Sequence, residues 1–276
     1  MTYGLSRIDQ AVGVATTLTR SWFRGHASVV GELTPRIHRA EFMSEIYGAF
    51  RPAIEMEMIE AFKREAPSLP DVPLPAESDR LGWLYVMQHY RTPTRLLDWT
   101  KNLLVALFFV VSDQPDQDGE LWAMNPLKLN GRAGIPGIPL PDASRALKAL
   151  VEEPYWTGSR QKLAESLGLK TAPTLPLAFE PSRRFARLVR QSGAFTIHPP
   201  PAPGATIPDT LSDPKDLVRY VVPASAKERL FNGLRALGVD EYTLFPELEG
   251  LSKRIEHEAR ILGYGPPAPP VCDGPA

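Results

Sequence analysis

The sequence predicts an α+β fold in which a mixed central sheet is flanked by helices, and three observations carry that prediction. Candidate helices and strands follow one another irregularly through the first 125 residues, without the regular strand-helix alternation of a parallel sheet. Residues 102–112 are apolar nearly all round, as suits a helix covered from several sides. Hydrophobic residues make up 43% of the 276, enough for a sizeable core, which excludes disorder of the whole chain.

The elements can be justified in order. Ile8, Val12, Ala15 and Leu18 fall at helical spacing and predict a helix over 5–19, leading into Ser21-Trp22-Phe23-Arg24-Gly25 as a short strand and turn. Residues 53–65 suit a second helix. Ser78 is the expected N-cap of a third, whose apolar positions Leu81, Leu84, Tyr85 and Met87 lead to Gln88-His89. After Thr92-Pro93, the run from Thr94 to Thr100 reads as a buried strand. Asp118-Gly119 turns the chain into another over 120–124. Beyond this, helices are expected over 159–167, stopped by Gly168, and over 182–190, 224–237 and 248–262, with strands over 194–198 and 217–222.

Twenty-nine prolines cluster near 67–75, 135–141, 199–208 and 266–275 and divide the chain into ordered blocks. The expected organisation is one domain over 1–262, with its N-terminal helix at 5–19, a motif core at 20–130 and a C-terminal half at 140–262, followed by a disordered proline-rich tail at 263–276. No repeat or heptad run interrupts this plan.

Lysine and arginine number 31 against 32 acids, so no overall field draws the protein to nucleic acid or an anionic membrane. Cys272 is the only cysteine, which excludes an intramolecular disulfide framework and suggests a reducing compartment. The start MTYGLSRIDQ has no apolar signal core, and the longest apolar run, 103–111, is roughly half a membrane span. A cytoplasmic protein without membrane contact is therefore expected. Dinucleotide-fingerprint, Walker A, HExxH and GxSxG motifs are absent, and the five histidines show no paired metal spacing, so no metal site is expected.

The densest polar constellation is Gln88, His89, Thr94, Arg95, Asp98 and Thr100, set between two very apolar helices. Such groups must be paired or placed in a cleft, because burying them alone costs about 2 kcal/mol or more each. The bland alternative is local: Arg95 pairs with Asp98, His89 bridges the turn and Thr100 caps the next helix. Arg24, between aromatics and a glycine, suits recognition of phosphate or carboxylate by its planar fork, or else an ordinary salt bridge. Arg36, His38 and Arg39 add positive charge nearby.

Trp22-Phe23-Arg24-Gly25, Leu33-Thr34-Pro35-Arg36 with Arg39, Met87-Gln88-His89-Tyr90, Pro93-Thr94-Arg95-Leu96-Leu97-Asp98-Trp99-Thr100 and Ala106-Leu107-Phe108-Phe109 resemble the FRG domain, named for its Phe-Arg-Gly motif. The pieces at 190–196 and 244–248 also resemble the family, so the resemblance covers roughly residues 20–255. Where it leads one to expect glycine after Gln-His-Tyr, this chain has Arg91. The resemblance implies a bacterial protein of mobile-element or defence settings, without fixing a reaction. The order of motifs is also similar to that of the ADP-ribosyltransferase clan. That likeness implies NAD as substrate, with no resident cofactor. Arg24 would bind the diphosphate or ribose, Thr94 and Thr100 would bond around the nicotinamide ribose, and Trp99 or Tyr90 would stack on the ring.

On this reading Gln88 and Arg95 join Arg24, Thr94, Trp99 and Thr100 as ligand-binding candidates, and His89, Asp98 and Gln191 are the catalytic ones. The likeness calls for a carboxylate at the third motif. Gln191 carries no charge, so Asp98, Glu120 or Glu247 would take that role, or the domain binds a nucleotide without turning it over. The expected partners are a nucleotide or other anionic small molecule and an unidentified macromolecular acceptor. Two other readings stand beside this one: a non-catalytic ligand sensor or protein-interaction module, and a nucleotide or nucleic-acid hydrolase with His89 as acid or base and Asp98 orienting it.

Overall fold

The computed structural model describes residues 2–29, 33–44, 49–50, 54–69, 74–135, 140–141, 144–152, 161–162, 164–165, 169–182 and 186–260. Its strands are β1 (Thr2–Gly4), β2 (Trp22–His26), β3 (Met43–Ser44), β4 (Ala49–Phe50), β5 (Leu96–Thr100), β6 (Gly119–Met124), β7 (Leu140–Pro141), β8 (Leu177–Glu180), β9 (Gly193–Ile197) and β10 (Leu217–Val222). The helices are α1 (Ile8–Thr17), α2 (Ile54–Glu65), α3 (Arg80–His89), α4 (Leu103–Val111), α5 (Pro126–Arg132), α6 (Arg145–Glu152), α7 (Ala186–Arg190), α8 (Ile207–Thr210), α9 (Ala224–Ala236), α10 (Glu241–Leu244) and α11 (Leu248–Ala259).

Among the described residues, eight strands form one mixed sheet in the order β1-β10-β6-β2-β5-β9-β8-β7, parallel at its two ends and antiparallel between. This is the α+β architecture that the sequence predicts. β3 and β4 form a separate hairpin. The seam that matters lies at the centre. β2 pairs with β6 over five registered residues and β5 with β9 over five, whereas β2 meets β5 at the single pair Phe23 and Thr100. Past that pair the two half-sheets are not joined by a ladder, and backbone and side chains there are left for other partners.

Strand alternation decides what faces the seam. Phe23 and Gly25 share a face with Leu121 and Ala123, and this half packs on α4 and α9 through Val105, Ala106, Val110, Ala226, Leu230 and Leu234. On the same face of the other half, Leu96, Phe179, Phe195 and Ile197 pack on Trp83, Leu84, Tyr85 and Met87 of α3 and on Leu147 and Leu150 of α6. Trp22, Leu97, Trp99, Trp122 and Ala194 occupy the opposite face in a third core. Each fully buried side chain of this kind contributes about 1.5–3 kcal/mol relative to exposure.

Two local details bring the helices to the seam. Asp79, rather than Ser78, caps α3, its carboxylate accepting from the Gly82 amide at 2.9 Å. Asn102 caps α4, accepting from the Leu104 amide at 2.9 Å. Gly25 lets α4 approach, since a Cβ there would meet the Ala106 carbonyl oxygen and a Val110 methyl group. The glycine therefore serves helix packing as well as lining the cleft.

β1 is an edge strand with no counterpart in the sequence expectations, and the predicted N-terminal helix is shorter, at 8–17. Most of the helix expected over 159–167, with Gly168, and the tail at 263–276 lie outside the described residues. Among those described, no helix is long and apolar enough to cross a membrane.

Candidate functional site

Over the open part of the seam lies a cavity of about 410 Å³, within the range of small-molecule sites. Its apolar lining includes Phe23, Tyr85, Leu96, Phe109 and Phe195. Its charged lining is one-sided: Arg24, Arg36, Arg39, Arg91 and Arg187 face a single acid, Asp98. A nearly neutral chain thus gathers positive charge at one place, which favours an anionic ligand bearing an apolar or aromatic part.

Arg24 on β2 reaches across the seam. Its Nη1 donates to the Asp98 carbonyl at 2.7 Å and lies 3.9 Å from the Asp98 carboxylate. Its Nε donates to His26 Nε2 at 2.8 Å. Behind it, His26 Nδ1 meets Glu120 Oε1 at 2.9 Å, and the other Glu120 oxygen accepts from Arg219 Nε and Nη2 at 2.8 and 2.7 Å. Burial pushes the Glu120 carboxyl up, but hydrogen bonds, that of His26 first, together with nearby positive charge outweigh it and hold the group at about 2. Burial lowers the His26 pKa, with Glu120 opposing.

From the β5 side, Asp98 is the exposed member of a buried strand, its side chain 55% accessible. Gln88 Nε2 donates to Asp98 Oδ2 at 2.5 Å, and Thr94 Oγ1 donates to Gln88 Oε1 at 2.6 Å. The same threonine oxygen accepts from the Leu96 amide at 3.1 Å. Thr94 thereby fixes which end of the Gln88 amide faces the carboxylate. Thr100 donates to the Gln191 carbonyl at 2.6 Å and accepts from the Asn102 amide at 3.0 Å, tying β5 to the turn before β9. The Gln191 side chain lines the cavity and donates to the Leu244 carbonyl at 3.3 Å.

His89, at the end of α3, lies 3.8 Å from Glu247 and packs edge-on against Tyr90. Burial and then the Arg187 charge lower its pKa, partly offset by Glu247. Its carboxylate neighbour is Glu247; Asp98 is held by Gln88 and Arg24. His89, Arg91, Phe109 and Arg187 also line a second cavity of about 700 Å³, toward Glu247 and Lys253.

Two of the sequence candidates are occupied elsewhere. Arg95 is 1% exposed; its Nε pairs with Glu55 at 2.9 Å, its Nη1 donates to the Leu150 carbonyl at 2.7 Å, and its own amide donates to Glu55 at 2.9 Å. That places it behind the cleft, linking β5 to α2 and α6, rather than in reach of a ligand, and it does not form the local pair with Asp98. Trp99 borders the cleft, but its indole nitrogen is turned to Thr196 Oγ1 at 3.1 Å on the opposite face. Tyr90 is exposed and borders the second cavity.

Arg91 has φ 62°, the left-handed region that favours glycine, and it lines both cavities. The structure thus gives a reason for glycine at this turn and shows what the arginine adds. Arg187 and the string His26, Arg219 were not singled out from sequence. The alternation Arg24, His26 on one strand and Glu120, Trp122 on the next was the available signal.

Residues 19–119 match the model of the FRG domain. The match spans β2, α3, β5 and α4, which line the seam, while Arg187, Gln191 and Phe195 of the same lining lie beyond it. No curated protein and no solved structure matches the chain.

Proposed function

We propose that the cleft binds NAD and breaks its nicotinamide-ribose bond, as an ADP-ribosyltransferase-like transferase or a glycohydrolase. The observation that carries this reading is the pairing, across an open seam, of an anchored arginine fork with an accessible carboxylate above an aromatic floor. Arg24, with Arg36, Arg39 and Arg91 at the rim, would take the diphosphate, and Tyr85, Phe109 and Phe195 would cover the apolar faces of the rings.

Asp98 is the carboxylate best placed for the chemistry. Glu120 is committed to His26 and Arg219, and Glu247 lies in the second cavity. As the C–N bond breaks, its electron pair leaves with nicotinamide, which becomes neutral, and the ribose becomes cationic. A fixed negative charge beside it stabilises that state more than the ground state. Water or an acceptor nucleophile then forms the new bond to the ribose carbon and gives up its proton. The bacterial defence setting belongs to the same proposal.

Incubating the protein with NAD labelled in the adenylate part and in nicotinamide, with protein, DNA and RNA present, tests the reading. The wild type should release nicotinamide, and Asp98→Asn should lower kcat about 100-fold or more with KM little changed. A ligand sensor is the second reading, favoured by the uncharged Gln191 at the third motif; binding of NAD without release would select it.

A further inference from the structure

We propose that His26, held by Glu120 and Arg219, positions Arg24 for an anionic ligand and makes that binding depend on pH. The inference rests on the cleft being an anion site, as above, and extends it to three residues outside the cleft's charged rim.

The geometry defines a single tautomer. Arg24 Nε carries a hydrogen and no lone pair, so His26 Nε2, 2.8 Å away, must be the acceptor. The imidazole proton is then on Nδ1 and points to Glu120 Oε1 at 2.9 Å. Glu120 is fully buried and keeps its charge through the hydrogen bond to His26 and through Arg219, which grips its second oxygen with two N–H groups. Four strands contribute to the string: β10, β6, β2 and, through the Asp98 carbonyl, β5. With its Nε and one Nη1 hydrogen anchored at an angle to each other, the guanidinium cannot rotate. Three of its five N–H groups make no hydrogen bond to the protein among the described residues.

Protonating His26 reverses this. A hydrogen on Nε2 would face the hydrogen on Arg24 Nε, and two cations would stand side by side. The groups facing His26 are Glu120 from β6, Arg24 on its own strand and Arg39 from the segment after Pro35, with Arg219 behind Glu120. Burial lowers the His26 pKa, and Arg24 and Arg39 add to that, while Glu120 raises it; the net value lies below 6.5. The free protein is therefore competent at neutral pH and loses anion affinity as pH falls through that depressed value.

The test titrates ADP-ribose and, separately, inorganic pyrophosphate into the full chain by calorimetry from about pH 8 to about pH 5. Wild-type affinity should fall about tenfold or more toward acid. His26→Gln, which supplies a donor and an acceptor but does not titrate, should bind at neutral pH with a flatter profile. His26→Ala should bind about tenfold more weakly at neutral pH. Glu120→Gln should move the wild-type midpoint to lower pH, because it removes the charge that raises the His26 pKa, a shift that a purely structural role would not produce.

A flat wild-type profile overturns the proposal without any variant, as does a folded His26→Ala protein that binds and titrates like wild type. Failure of wild type to bind either probe overturns it together with the anion-site reading. Binding with the expected pH dependence but no nicotinamide release upholds it and removes only the catalytic reading.

Discussion

Arg24 stands on β2 and Arg95 immediately before β5, the strands that meet at the same seam; each is at the centre of a polar network, and the two networks have different fates. Arg95 is enclosed: a carboxylate and a main-chain carbonyl take its fork 1% exposed, and it joins β5 to α2 and α6. Arg24 is anchored by two bonds and opens its remaining donors onto the cleft. The contrast teaches that an arginine serves the fold or a ligand according to how many of its donors the protein itself satisfies. Residue type and motif membership do not decide it.

The largest effect expected from breaking this comparison is on stability at the enclosed network. Arg95→Ala takes the guanidinium charge away from the buried Glu55 carboxylate, leaving it the main-chain amide of residue 95, and should cost about 3–5 kcal/mol, read by denaturant unfolding. Arg24→Lys should leave the unfolding midpoint nearly unchanged yet weaken ADP-ribose binding about tenfold or more, because an ammonium cannot span His26, the Asp98 carbonyl and a phosphate together. Equal binding by the lysine variant would remove the fork from the account.

Gly25→Ala should destabilise by about 1–3 kcal/mol, since α4 must retreat from the seam to admit the new methyl group. Glu120 sharpens the comparison through pH. Its folded value, about 2, lies below the ordinary 4.5, so its contribution to stability is complete above 4.5 and is lost as pH falls toward about 2. Acid unfolding of Glu120→Gln should show a smaller slope in that window. The smallest effect is at Arg91→Gly, which relieves a left-handed arginine and should stabilise by about 1 kcal/mol while weakening anion binding at the cleft mouth.

Much of the fold was legible because local signals and burial agreed. Residues 102–112 are apolar nearly all round and α4 is covered nearly all round; the strands expected over 21–25 and 94–100 correspond to β2 and β5. The cleft brings together Arg24, Gln88, His89, Asp98, Thr100 and Gln191, with Thr94 one bond behind. What could not be read was pairing at a distance. Glu55, 40 residues before Arg95, looks like any helix glutamate until α2 docks behind β5. Arg219 meets Glu120 only because β10 inserts between β1 and β6, a connection that no local pattern encodes. Trp99 reads as a ring for stacking, yet strand alternation turns its indole to the face where Thr196 waits.

Hydrogen exchange of the wild-type protein with and without ADP-ribose tests the central claim most directly, since it locates the ligand without assuming a reaction. The account predicts added protection in Trp22–His26 and Leu96–Thr100 and around Arg91, on the two sides of the open seam. Protection confined to other segments, or none at saturating ligand, would contradict it.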